Sequence, residues 1–76
     1  MKYTVRGYVI DPDVLDEALA FSWVLNGDAV AALRKAVSEG RTMWAFTYEG
    51  SETIVNMQAF AFFEIWESDK VWKVNR

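Results

Sequence analysis

The chain has 76 residues, a net charge of -3 at pH 7, no cysteine and no histidine. These counts exclude disulfide bridges and every zinc site built on thiolate or imidazole ligands, and the acidic balance opposes non-specific binding to a phosphate backbone. A domain of this length buries only about 60% of the surface that its unfolded chain exposes. Association with a second copy or with another protein is therefore the expected source of further stability.

Aromatic residues are abundant, with four Trp, three Tyr and five Phe. Each such side chain buries roughly 150 to 250 Å², so a small domain can use them to fill its core. Aromatic residues are also enriched at interfaces. We expect part of this set to lie at an interface.

The sequence contains no apolar run near the roughly 20 residues that cross a bilayer. Its first ten residues, MKYTVRGYVI, alternate polar with apolar side chains and so differ from the continuous apolar region of a signal peptide. It also has no N-glycosylation sequon. We expect a cytoplasmic protein with no membrane partner.

The first element in chain order is a predicted half-buried strand over residues 2–10, in which Tyr3, Val5 and Val9 share one side. Asp11 and Pro12 end this strand, because proline lacks the amide donor that a sheet ladder needs.

A first helix is predicted from Pro12 to about Trp23, with Asp11 as its N-cap. Residues 20–25, AFSWVL, are also compatible with a strand, and the sequence leaves that alternative open. The positions that fit one helical face are Val14, Leu15, Ala18, Leu19 and Ser22.

A second helix is predicted after the turn at Asn26 and Gly27, with Asp28 as its N-cap and Gly40 as its left-handed stop. Its buried stripe is predicted to consist of Val30, Leu33, Ala36 and Val37.

Three to four strands are predicted after the second helix. Residues 43–48 alternate, with Trp44, Phe46 and Tyr48 on one face, and the short turn EGS returns the chain as an antiparallel partner. The predicted order ends with a turn at residues 56–59, a strand over 61–67 and a last segment, VWKVN. The sequence therefore predicts an α+β fold. This is a small single domain with an N-terminal strand on a sheet edge, two helices, and an antiparallel three- to four-stranded meander with the helices packed on one face.

No residue pattern indicates an enzyme, and we predict no catalytic residue, no cofactor and no metal site. Glu64 lies between Phe62 and Trp66 on one strand face, in apolar surroundings of the kind that some catalytic acids use. No second carboxylate, nucleophile or oxyanion device lies near it in sequence. Four acidic residues lie close together at the start of the first predicted helix, and helix capping explains them better than a metal site does. They are Asp11, Asp13, Asp16 and Glu17.

Positive charge gathers at two places in the sequence. Together with the aromatic face of residues 44–48, these cations could form a stacking platform for single-stranded nucleic acid. The alternative is that the first group lies on the solvated face of a helix, where the negative C-terminal end of the helix dipole stabilises the cations. The two groups are Arg34, Lys35 and Arg41, and Lys70, Lys73 and Arg76.

The strands after the second helix are apolar on both faces, whereas an antiparallel sheet normally turns a polar face toward water. We predict that one face packs on the helices and that the other is an interface, in which Glu64 needs a cationic or hydrogen-bonding partner from across the contact. The predicted interface residues are Trp44, Phe46, Tyr48, Phe62, Glu64 and Trp66.

The function that we predict is a non-enzymatic binding and assembly module, which forms a homo-oligomer, either a dimer or a small ring, through this aromatic-rich face. One alternative is a monomeric inhibitor or adaptor, of the type that phages or mobile elements encode, that binds another protein through the same face. A further alternative is binding of single-stranded nucleic acid or of a small apolar ligand on the aromatic face.

Overall fold

The computed structural model describes residues 2–75. Within this range the chain forms strands, one α-helix and one short 3-10 helix. The strands are β1 (Lys2–Asp11), β2 (Asp16–Asn26), β3 (Met43–Tyr48), β4 (Ser51–Asn56), β5 (Phe62–Glu67) and β6 (Lys70–Asn75); the α-helix is α1 (Gly27–Ser38), and the 3-10 helix spans Met57–Ala59.

The predicted α+β fold with two helices is wrong, because strand makes up 61% of the structure and helix only 20%. A four-stranded antiparallel sheet has the order β2-β1-β5-β6, and β3 and β4 form a separate two-stranded sheet. β1 is thus an interior strand rather than the predicted edge strand. β5 pairs with β1 and β6 and does not continue a meander from β4.

A turn replaces the start of the predicted first helix. The backbone N–H of Asp13 donates to Asp11 Oδ1 at 2.9 Å, and that of Leu15 donates to the Asp11 carbonyl at 2.8 Å. Leu15 has a φ of 55°, a left-handed conformation that the interior of a right-handed helix excludes. Asp11 therefore stabilises a reversal of the chain, and β2 returns antiparallel to β1.

Residues 20–25 lie in β2, so the strand alternative for this segment is confirmed. Phe21, Trp23 and Leu25 turn toward the core, whereas Ser22 and Val24 between them are exposed. A period of two gathers three large apolar side chains on one face, which a helical period of 3.6 would spread around its circumference. Burial against the core therefore overrides the helical spacing in this segment.

A β-bulge interrupts the ladder between β1 and β2. Gly7 lies opposite Phe21 and Tyr8 lies opposite Leu19, which leaves Ala20 as the extra residue on β2. A Cβ at Gly7 would lie 2.6 Å from Cζ of Phe21. The glycine thus lets the Phe21 ring lie directly against the backbone of β1.

α1 matches the second predicted helix, with a correction at its N-cap. Asn26 is the N-cap residue rather than Asp28, because Asn26 Oδ1 accepts a 3.0 Å hydrogen bond from the Ala29 N–H. Gly40 has the left-handed φ, 67°, that the sequence predicted for the helix stop. The predicted stripe is confirmed, with Val30, Leu33 and Ala36 buried and Val37 half-buried.

The predicted hairpin is confirmed as β3 and β4. Glu49 and Gly50 both have positive φ, as a two-residue type I′ turn requires. The predicted turn at residues 56–59 is the 3-10 helix, where Asn56 Oδ1 accepts from the Gln58 N–H at 3.1 Å. The last two predicted strands are also present, as β5 and β6.

The core lies between one face of the four-stranded sheet, α1 and the β3–β4 hairpin. Trp44 is only 1% exposed, and its Nε1 donates to the Ala29 carbonyl at 3.0 Å, so this side chain ties β3 to α1. Rings from four different parts of the chain touch one another around it. This aromatic cluster consists of Phe21, Trp23, Trp44, Phe46, Tyr48, Phe60 and Phe63.

Candidate functional site

The four-stranded sheet has a second face, which we call the outer face. It lies opposite the core residues Val5, Phe63 and Ile65, because side chains alternate along each strand. Within residues 2–75, no helix or hairpin packs on it. Where all four strands pair, its residues are Leu19, Ser22 and Val24 from β2, Thr4, Arg6 and Tyr8 from β1, Phe62, Glu64 and Trp66 from β5, and Val71, Lys73 and Asn75 from β6.

The strand registers arrange the outer face in rows. A charged row crosses the middle of the sheet, since Arg6 lies opposite Glu64 and Glu64 lies opposite Lys73. On either side of it are rows rich in aromatic and aliphatic groups, one containing Tyr8 and Phe62 and the other containing Trp66. Of the three rows that cross all four strands, only the middle one carries charge, whereas a solvated sheet face would show charge throughout. Lys2 and Glu17 lie on the same face beyond these rows, where only β1 and β2 pair.

Glu64 lies in the centre of the outer face and finds its hydrogen-bond partners in its own chain. Glu64 Oε1 accepts from the Tyr8 hydroxyl at 2.6 Å and from Trp66 Nε1 at 3.3 Å. The hydrogen bond to Glu64 raises the pKa of Tyr8 above its ordinary value of 10.0, and burial adds to the increase. The partner that the sequence placed across an interface is thus supplied by β1 and by β5 itself.

Phe62 is enclosed by its neighbours on the outer face. Its ring stacks on Tyr8 with a centroid separation of 4.7 Å, and Lys73 Nζ lies 4.2 Å from its centroid. Phe62 is consequently only 6% exposed, although no second layer of the protein covers this face.

Arg6 and Trp66 form a second cation–π pair, with the guanidinium carbon 4.8 Å from the ring centroid. Arg6 Nε is buried and has no hydrogen-bond partner among the described atoms. A shallow groove of about 210 Å³ lies beside this pair, and Lys2, Thr4 and Val24 form part of its wall.

The structure divides the six predicted interface residues between two places. Phe62, Glu64 and Trp66 lie together on the outer face, whereas Trp44 and Phe46 are buried in the core and Tyr48 is half-buried against Trp23. The alternation of β3 was predicted correctly. Its aromatic side faces inward, so Met43, Ala45 and Thr47 are the exposed residues of this strand.

Sequence reasoning missed the residues that β1 and β6 add to the outer face. The alternation of β1 placed Arg6 and Tyr8 on one side, but only the pairing of β1 with β5 brings them to Glu64. That pairing joins residues more than 50 positions apart, and local patterns do not reveal it. Lys73 reaches the same row through the β5–β6 ladder.

The predicted nucleic-acid platform is not assembled. The rings of Trp44 and Phe46 are inside the core and cannot stack on bases. The cations of the first group are already engaged with other side chains. Arg41 contacts Glu39 at 2.9 Å and Lys35 approaches the same carboxylate at 4.0 Å, while Arg34 lies over Trp72 at 5.3 Å from its centroid. Arg76 lies outside the described residues.

The acidic cluster at residues 11–17 stabilises the β1–β2 turn rather than a helix N-terminus. Asp16 Oδ1 accepts from the Glu17 N–H at 2.7 Å, as Asp11 does from Asp13. Across residues 2–75, no three acidic side chains converge on a point where a cation could bind. No helix in the same range is long and apolar enough to span a bilayer.

Comparison with known proteins identified no relative of this chain. No protein-family model matches the chain, and neither the curated proteins nor the solved structures contain a match.

Proposed function

We propose that this protein is a non-enzymatic binding and assembly module, which forms a homo-oligomer by burying the outer face of its four-stranded sheet. The observation that carries the proposal is the composition of that face. Aromatic and aliphatic side chains flank a single charged row, and nothing else in residues 2–75 covers them. Contiguous apolar patches of this kind are typical of interaction sites, and aromatic enrichment is typical of an interface core.

The charged row favours a partner of the same composition. Arg6 and Lys73 lie on either side of Glu64 on one sheet face, so a copy rotated by 180° can place its own carboxylate against either cation. An isologous dimer or a small ring therefore suits this face.

Binding of a different protein through the same face is the second candidate. Such a protein would contact the same apolar rows and would also bind Arg6. The nucleic-acid alternative has less support, because the net charge is -3 and the Phe62 ring is already enclosed by Tyr8 and Lys73. We further propose a cytoplasmic location, as the composition suggests.

The test compares two strand-edge residues of similar shape on different faces. Val71 lies on the outer face and is 43% exposed, whereas Ile54 lies on the solvent side of the β3–β4 hairpin and is 59% exposed. A buried, unpaired carboxylate is costly, so Val71→Glu should lower the mass measured by light scattering while Ile54→Glu leaves it at the wild-type value. Equal masses for all three proteins would refute assembly through the outer face.

A further inference from the structure

The edges of the sheets differ in how well they are protected. An unpaired edge offers its N–H and C=O groups to another strand, and proteins usually block it with charges, proline or short length. β6 has six residues and two lysines, β4 has six residues and Glu52, and β3 runs beside α1. β2 has eleven residues, and Ala18 to Asn26 contains no charge and no proline.

Two features limit the part of β2 that another strand can pair with. The bulge at Ala20 disrupts regular pairing on one side, and Asn26 turns the chain into α1 on the other. Residues 21–25 remain as a regular segment whose only strand partner in the described chain is β1.

We propose that the β2 edges of two copies pair antiparallel across a two-fold axis and join two four-stranded sheets into one. This inference rests on the proposed function, since it specifies how two copies meet. Two-fold symmetry and the pairing of all five residues together set the register. Trp23 lies opposite Trp23 of the partner subunit, and Ser22 lies opposite Val24 of the partner subunit.

The size of the outer face gives a reason for a second contact. Four strands about 4.8 Å apart and six residues of about 3.3 Å each give a flat footprint of roughly 400 Å². A standard interface buries about 800 Å² on each partner. Edge pairing doubles the continuous outer face, so that two joined sheets can cover two others with the area that a stable assembly needs. The complete assembly is then a dimer of dimers.

Cysteine cross-linking tests the register directly, because the chain has no cysteine of its own. Directly opposite residues have Cα atoms about 4.5 to 5.5 Å apart, within the range of about 4.4 to 6.8 Å that a disulfide spans. Diagonal neighbours are about 7 to 8 Å apart. When Ser22→Cys and Val24→Cys chains are mixed and oxidised, the dimers that contain one chain of each variant should cross-link. The cross-linked fraction should reach the share of mixed dimers expected from random association, whereas either variant alone should remain uncross-linked.

The double variant Ser22→Cys/Val24→Cys removes the need for subunit exchange, and it should cross-link with itself almost completely. Both positions are exposed, so neither change disturbs the core. Absence of the cross-linked dimer in both the mixture and the double variant would overturn the inference, as would equal cross-linking of the single variants.

Val71→Glu separates this inference from the proposed function, because β6 is three strands away from the β2 edge. Added to the double cysteine variant, it should halve the mass of the assembly and leave the cross-link in place. A reduced mass without any cross-link would refute edge pairing alone. A cross-link with an unchanged mass would refute burial of the outer face alone.

Discussion

Glu64 shows how a carboxylate is kept among aromatic rings on a sheet face. Its partners, the Tyr8 hydroxyl and Trp66 Nε1, are both amphipathic aromatic side chains, so each satisfies the carboxylate and contributes apolar surface as well. A carboxylate satisfied in this way can remain on a surface that becomes buried on assembly.

Glu64→Gln should lower the pKa of Tyr8 toward 10, because the hydrogen bond to the Glu64 carboxylate is the largest cause of its increase. A raised tyrosine pKa stabilises the fold below the ordinary value near 10, and this stability is lost as pH rises through the raised pKa. Ultraviolet absorbance of tyrosinate during an alkaline titration measures the shift, and Tyr8→Phe assigns it.

The control for this titration is Glu52→Gln, which removes the same charge from the exposed face of the hairpin. It should leave the Tyr8 transition unchanged. A Tyr8 transition that stays in place in Glu64→Gln would contradict the hydrogen-bond assignment.

Gly7→Ala should destabilise the fold by about 1 to 3 kcal/mol, the usual cost of overpacking, because the new methyl group would collide with the Phe21 ring. Gly27→Ala is the matched control. Its Cβ would meet nothing closer than 3.8 Å, at Tyr3 Cε2, and alanine is favoured over glycine in a helix. Urea denaturation measures the free energy of unfolding of both variants. Equal values would show that packing of the Phe21 ring does not require a glycine at position 7.

At the scale of elements, the sequence predicted those that short-range chemistry specifies. α1 has a cap, an apolar stripe and a glycine stop, and the β3–β4 hairpin has alternation and a two-residue turn. The segment 20–25 is compatible with both a helix and a strand. Its structure is decided by pairing with β1 and by packing of Phe21 and Trp23 within the aromatic cluster, which local spacing does not encode.

The corrected N-cap of α1 gives a prediction for this element. Asn26→Ala should lower the free energy of unfolding by about 0.5 to 2 kcal/mol, because the Ala29 N–H loses its acceptor. Asp28→Ala removes only a favourable charge near the helix dipole, worth about 0.3 to 1 kcal/mol. Urea denaturation of both variants compares the costs, and a larger loss in Asp28→Ala would restore Asp28 as the cap.

For the whole molecule, the sequence predicted two-sided apolar strands but not which side the core would take. Half of the predicted interface set, Phe62, Glu64 and Trp66, lies on the open face. The β3 aromatics complete the core instead, because the hairpin folds over the sheet and brings Trp44 to Phe63. That arrangement depends on how two sheets and a helix pack, which alternation within one strand leaves undetermined.

Mass in solution tests the central claim most directly. Light scattering of the wild-type chain across the micromolar range should give a multiple of the chain mass, which decreases on dilution as subunits dissociate. A single-chain mass throughout that range would contradict assembly through the outer face.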